Sequence, residues 1–216
     1  WAAHCDVADD VPLFCKAWWL DCVCGTGDWD VAIVDEGGEI KAALPFRLHR
    51  PKKVLHLAMP LYTPYLGPYL RIAKVKYDEV LGETHELLEK CIVQLPSNAS
   101  TDLRLFPEFL DGLPFLWHGY SVLTSWTYRV DLSLFEEEAH WLKMSGRART
   151  EIRKAANSSR LTVTAASPDV LLEQYKKTWA RQGLSLPCPE DFFYRLCNVC
   201  FEHDAAMAIK ACDPAG

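Results

Sequence analysis

The sequence predicts an α+β protein, mixed α/β, built around largely antiparallel sheets. Three observations lead there. Half of the 216 residues are hydrophobic, with eight Trp, nine Phe and eight Tyr, which is enough to bury a large core. Segments with strand character and segments with helical spacing follow one another without strict βαβ alternation. One stretch, DVAIVDEGGEIKAALPFRL, holds two β-rich runs around Glu36-Gly37-Gly38-Glu39, a strong hairpin signal.

The elements follow in order. DDVPLFCKAWWLDCVCG has acids and a proline in front, a glycine behind and apolar residues at helical spacing, so it predicts a first helix. After the hairpin, VLHLAMPLYTPYLGPYLRI continues in short strands broken by Pro60, Pro64 and Pro68. YDEVLGETHELLEKCIVQLP sets Val80, Leu81, Leu87, Leu88, Cys91, Ile92 and Leu95 along a helix that stops at Pro96. TDLRLF and the long, β-branched SVLTSWTYRVDL read as strands. A helix from about Leu134 through Trp141 leads into SGRARTEIRKAANSSR. From Leu161 the pattern restarts as strand LTVTAAS, helix DVLLEQYKKTWARQG, helix PEDFFYRLCNVCFEHD and strand AAMAIKAC.

A net charge of −6 sets aside a nucleic-acid binder that works through overall charge, while leaving room for a local basic patch. No segment approaches the roughly 20 consecutive apolar residues of a membrane-spanning helix, so no span is expected. Nine scattered cysteines in a chain too long to need a disulfide framework favour free thiols and a cytoplasmic location. Cys22 with Cys24 has the wrong spacing for a zinc turn. Cys197 and Cys200 share an apolar helical stripe with Phe193 and Leu196, so both pairs read as core cysteines and no metal is expected. The start at Trp1, with neither Met nor a leader, looks like a cut.

Three stretches together resemble one family. LPFRLHR followed by MPLYTPYLGPYL is similar to the strand and aromatic loop of FemAB-like acyltransferases, which have a tandem GNAT (acyl-CoA N-acyltransferase) fold and include peptidoglycan aminoacyltransferases and BioF2-like acetyltransferases. TYRVDLS with RARTEIRKAANSS resembles the family's link into its second half, and YKKTWARQGLSLP the helix that opens that half. The resemblance implies a complete first GNAT-like domain over 1–159 and a truncated second one over 160–216, so that the chain is a fragment. It implies transfer of an acyl or aminoacyl group to an amine acceptor, such as a small molecule or a cell-wall or polysaccharide precursor. The donor would be acetyl-CoA, another acyl-CoA or an aminoacyl-tRNA, which makes tRNA a further partner. The [Q/R]-x-x-G-x-[G/A] turn that binds pyrophosphate in acyl-CoA enzymes does not occur before the helix at 77–95, which places the expected donor site beyond residue 216. A non-catalytic binding or scaffolding module with the same fold is the alternative.

Candidate site residues come from both halves. Segment 143–160 carries Lys143, Arg147, Arg149, Arg153, Lys154 and Arg160 against one acid, Glu151, a local charge of +5. On a helical wheel Ala148, Ile152, Ala155 and Ala156 share a face, with Arg149, Arg153 and Lys154 beside it. Arg149 and Arg153, spaced i and i+4, could offer two guanidinium forks to one phosphate or carboxylate; a solvated helical face is the other reading. In the helix ending KTWARQG, Leu171, Tyr175, Thr178 and Gln182 form a stripe that turns polar, with Arg181 at its edge. A buried Gln182 amide needs a partner, either a neighbouring loop or a bound substrate. Tyr62, Tyr65 and Tyr69, held in an extended loop by prolines, could line a substrate groove or pack at a sheet edge. The histidines show no metal spacing. The strand near Ala206 to Ala211, left unpaired on this reading, predicts self-association through its edge.

Overall fold

A computed structural model describes residues 1–129, 136–157 and 161–212. The chain divides into two compact units, Trp1–Ser125 and Trp126–Gly216.

The first unit opens with a short helix α1 (Ala2–Val7) and a 3-10 turn at Leu13–Cys15. Lys16 is extended, with φ −65° and ψ 140°, so the single helix expected over this stretch is broken there and resumes as α2 (Ala17–Cys24). Gly25, at φ 99°, ends α2. The hairpin is present as expected. β1 (Trp29–Glu36) and β2 (Glu39–His49) pair antiparallel through Gly37 and Gly38, whose φ values of 66° and 86° suit glycine.

β2 is the organising strand. Its C-terminal half pairs with β3 (His56–Ala58), and Ala42 and Ala43 pair with β4 (Tyr69–Leu70). The helix α3 (Tyr77–Ile92) follows, then β5 (Ser100–Thr101), which pairs parallel with β3. The sheet is antiparallel except for that last pair. Residues 42–46 are buried without a break, the pattern of a strand covered on both faces. Ala42, Leu44 and Phe46 join Leu87, Leu88, Cys91 and Ile92 of α3 in the core, and α4 (Leu113–Trp117) adds Phe115.

Two expected strands differ. Of TDLRLF only Thr101 lies in β5; the rest bonds to the tyrosine loop instead, Leu66 N–H to the Arg104 carbonyl (2.6 Å) and Phe106 N–H to the Gly67 carbonyl (2.8 Å). Residues 121–129 form no strand, and 130–132 lie outside the described residues. The physical reason is that a β-branched run needs a neighbouring strand and a face to bury, whereas Leu123, Trp126 and Tyr128 are almost fully exposed.

The second unit contains α5 (Glu137–Lys143), α6 (Gly146–Asn157), β6 (Thr162–Ala165), α7 (Pro168–Arg181), α8 (Glu190–Glu202) and β7 (Ile209–Cys212). The expected start of α5 at Leu134 lies outside the described residues. The strand near Ala206 to Ala211, expected to be unpaired, is not: β7 pairs antiparallel with β6, Thr162 opposite Cys212, because the first strand of this unit supplies the partner. α7 and α8 are joined by Tyr175 stacked on Phe193 at 5.5 Å, by Lys176 to Glu190 at 2.7 Å and by the Tyr194 hydroxyl to Asp169 at 2.8 Å. Cys200 is buried on α8 with Phe192 and Leu196, which agrees with a core cysteine.

Candidate functional site

In the first unit a groove of about 710 Å³ opens beside the tyrosine loop. Three contacts position its wall. The Trp19 indole of α2 donates to the Thr63 hydroxyl at 3.0 Å, anchoring the loop from one side. The two backbone bonds to Arg104 and Gly67 anchor it from the other. Gly67 sits at φ 66°, where a Cβ would lie 3.1 Å from Leu44 Cδ1, so the chain turns there only because the residue is glycine. The loop thereby delivers Tyr65 edge-on to Phe14 at 5.2 Å and to Phe106 at 5.1 Å. Phe109, Asp10 and Glu108 also line the groove.

Behind the aromatic wall lies a polar hub. The Arg71 guanidinium donates to both oxygens of Asp10, at 2.9 and 2.8 Å, and the Tyr69 hydroxyl donates to the same carboxylate at 3.1 to 3.2 Å. The Arg71 hydrogen bonds hold the Asp10 carboxyl down to about 2. Burial first, and then the Asp10 carboxylate, push the Tyr69 phenol up to about 12. His4 Nε2 lies 3.1 Å from the Tyr69 oxygen, and the His4 ring stacks on Trp1. Burial lowers the His4 pKa. A second polar pair, His85 with Asp111 at 2.6 Å, ties α3 to the start of α4; the His85 hydrogen bond lowers the Asp111 pKa.

The expected site residues fall as follows. Tyr65 lines the groove, while Tyr62 is half-buried at φ 58° and is not among the lining residues. In the second unit, Arg149 and Arg153 lie one turn apart on α6. Arg149 is half-buried, and its Nε is shielded from solvent with no hydrogen-bond partner among the described residues. The Arg153 guanidinium sits 5.1 Å from the Trp141 ring centroid, and Lys154 pairs with Glu151 at 2.9 Å. Arg160 lies outside the described residues.

The α7 stripe is corrected. The inward residues are Leu172, Tyr175 and Trp179; Thr178 is exposed and its hydroxyl donates to the Gln174 carbonyl. Gln182 is exposed at the C-cap, so no buried amide demands a partner, and Arg181 donates to the Thr178 hydroxyl at 3.3 Å. Leu171 misled because its own 3.6-residue row runs through Thr178 and Gln182, one step round from the row that packs.

Sequence reasoning missed Asp10, Phe14, Phe106 and Phe109. Each sits in an ordinary apolar or acidic context, and only tertiary contact brings them to Tyr65. The segment RIAKVK ahead of α3 contains no glycine, and the first turn of α3 carries the acids Asp78 and Glu79, so these residues do not fit an acyl-CoA pyrophosphate. Among the described residues no three His, Cys, Asp or Glu are grouped to hold a metal ion, and no helix is long and apolar enough to cross a membrane. Cys15, Cys24 and Cys91 are each pushed up to about 12, mainly by burial, which keeps their thiols protonated at neutral pH.

No family model and no curated protein matches the chain. Among solved structures it is similar to one described as the crystal structure of FemX, with a TM-score of 0.56 and 16% identity. That match covers 97% of this chain and 55% of the other, so the chain spans about half the length of the FemX chain. At this identity the likeness speaks for the fold alone, which is FemAB-like.

Proposed function

We propose that the protein acts as a FemAB-like acyltransferase that moves an acyl or aminoacyl group onto an amine. One observation carries the reading: the FemX-like fold extends over 97% of the chain. The finer architecture in this reading is a GNAT-like unit over 1–159 followed by the opening of a second over 160–216.

In the transfer, the amine nitrogen attacks the donor carbonyl carbon. A C–N bond forms, the C–S or C–O bond of the donor breaks, the leaving thiolate or alkoxide takes a proton, and the new amide nitrogen loses one to solvent. Such chemistry needs position and N–H donors more than a protein nucleophile. Arg149, Arg153, Lys154 and Arg181 supply cations for an anionic acceptor, such as a cell-wall precursor, or for a tRNA-bound donor. Gln182 offers an amide at the end of α7, and, within the first unit by itself, Tyr62 and Tyr65 offer aromatic surface. The unpartnered Arg149 Nε supports an anion there, since an unsatisfied buried N–H costs about 1–3 kcal/mol. A donor acyl-CoA is held by residues other than those ahead of α3.

The glycine-free segment ahead of α3 favours the second reading, a binding module without transfer. Incubation with acetyl-CoA or aminoacyl-tRNA and a lysine-containing cell-wall precursor, followed by mass spectrometry, separates the two. Transfer adds one acyl mass to the acceptor. Precursor binding that weakens with salt but yields no mass gain with either donor supports the module. Precursor binding insensitive to salt removes the role given to α6.

A further inference from the structure

The turn from β2 to β3 carries charge that no described residue answers. Residues 49–56, HRPKKVLH, hold Arg50, Lys52 and Lys53 and no acid. All three are exposed, and among the described residues none of their side chains has a hydrogen bond or an ion pair. Elsewhere in the first unit Lys41, Arg71, Lys76 and Lys90 each have a carboxylate oxygen within 3.4 Å. On the flanking segments Asp28 and Asp102 bond by backbone to Leu48 and Leu57, at the foot of the turn, while the residue beside its upper part is Ser100, whose N–H donates to the Leu55 carbonyl at 3.0 Å. Lys52 and Lys53 are both left-handed, at φ 51° and 69°, and the Val54 N–H closes the turn by donating to the Pro51 carbonyl at 3.1 Å. That geometry is unfavourable for residues with a Cβ, and here it sets two lysines side by side with no anion between them. The same turn leaves Pro51 exposed and Val54 52% exposed.

We propose that this tip docks the protein reversibly on an anionic lipid surface. Arg50, Lys52 and Lys53 meet the headgroup phosphates, and Pro51 and Val54 enter the boundary between headgroups and acyl chains. Charge complementarity and the apolar tip select this partner together. A nucleic acid would answer the cations but leave Val54 in water, and the turn has no Phe, Tyr or Trp on which a base could stack. Each cation held at an anionic surface favours binding by about fivefold, so three together give about a hundredfold. The docking uses none of the residues assigned to acyl transfer and holds whether or not the chain transfers a group.

The test is cosedimentation of the whole chain with sucrose-loaded vesicles, either of phosphatidylcholine alone or with one part in three of phosphatidylglycerol. Partitioning is expected to be about a hundredfold stronger on the mixed vesicles at low salt and to fall as salt rises. Lys52→Gln combined with Lys53→Gln, at exposed positions where Gln meets the same backbone, lowers it by about tenfold or more. The same pair of exchanges at Lys143 and Arg147, in the other cation-rich segment, lowers it less. Val54→Ser weakens binding to the mixed vesicles by about threefold to tenfold, through lost apolar contact. The proposal is overturned if both vesicles bind the protein equally, if the double lysine exchange leaves partitioning intact, or if Val54→Ser has no effect. In that last case, displacement of the protein from the vesicles by poly(U) would assign the tip to nucleic acid instead.

Discussion

Asp10 joins three distant parts of the first unit, since Arg71 and Tyr69 reach it from β4 and the segment after it, and His4 reaches Tyr69 from α1. Its carboxyl falls to about 2 from an ordinary value of 3.8, chiefly through the Arg71 hydrogen bonds. A depressed carboxylate stabilises the fold above its unfolded value and loses that contribution as pH falls through the folded one. The Asp10 side chain is 51% exposed, so solvent screening limits the contribution to about 0.5–1 kcal/mol. Urea unfolding of wild type and Asp10→Asn is therefore expected to differ by that amount at neutral pH. The difference should shrink between 3.8 and about 2. A difference that stays constant through this window would assign the stabilisation to something other than the charge. Gly67 is the second decisive residue. Ala there must hold φ near 66° and press its Cβ against Leu44, so Gly67→Ala is expected to cost about 2 kcal/mol, read as a lower urea midpoint with unchanged slope. The sequence flagged this loop through its tyrosines and prolines. It did not reveal Asp10, whose partners lie some 60 residues away.

Among the elements, α3 was the most legible, because four of its expected core residues, Leu87, Leu88, Cys91 and Ile92, are buried together on one face. Its weak point is Gly82, exposed in mid-helix with open space around its Cβ position. Gly82→Ala removes backbone freedom from the unfolded chain and clashes with nothing, so it is expected to stabilise by about 0.5–1 kcal/mol. A drop in melting temperature on this exchange would mean that α3 is not a continuous helix. The hairpin was legible for a local reason, since two glycines supply the left-handed turn whatever surrounds them. The run at 121–129 was misread for a non-local one. β-branched composition states what would suit a strand, and no sequence feature states whether a partner strand will stand beside it. α7 failed more narrowly: the helix was right, and the rotation about its axis was wrong, because Thr178 and Trp179 differ by 100° in direction and only packing against α8 chooses between them.

At the scale of the whole molecule, the order of motifs carried the fold even though none of them alone was distinctive. Each motif records a local requirement, and the series records the topology that FemX shares at 16% identity. What the series could not carry was the groove, whose lining residues meet only after β2, the tyrosine loop and residues 104–106 have paired. The same scale governs association. β6 and β7 pair with each other and, among the described residues, with no further strand, so each keeps one edge of backbone N–H and C=O groups unmatched. Val163 and Ile209 add apolar surface there, at 64% and 63% exposure. Proteins usually blunt such an edge with charge or cover it. The only ionisable side chains on the two strands are Lys210 and Cys212, which leaves β6 with none. Sedimentation over a range of concentrations is therefore expected to show reversible self-association of this chain, and Ile209→Lys is expected to shift it toward monomer by placing a second cation beside Lys210. A wild-type chain that stays monomeric at the highest concentration would show that this edge is not a pairing surface.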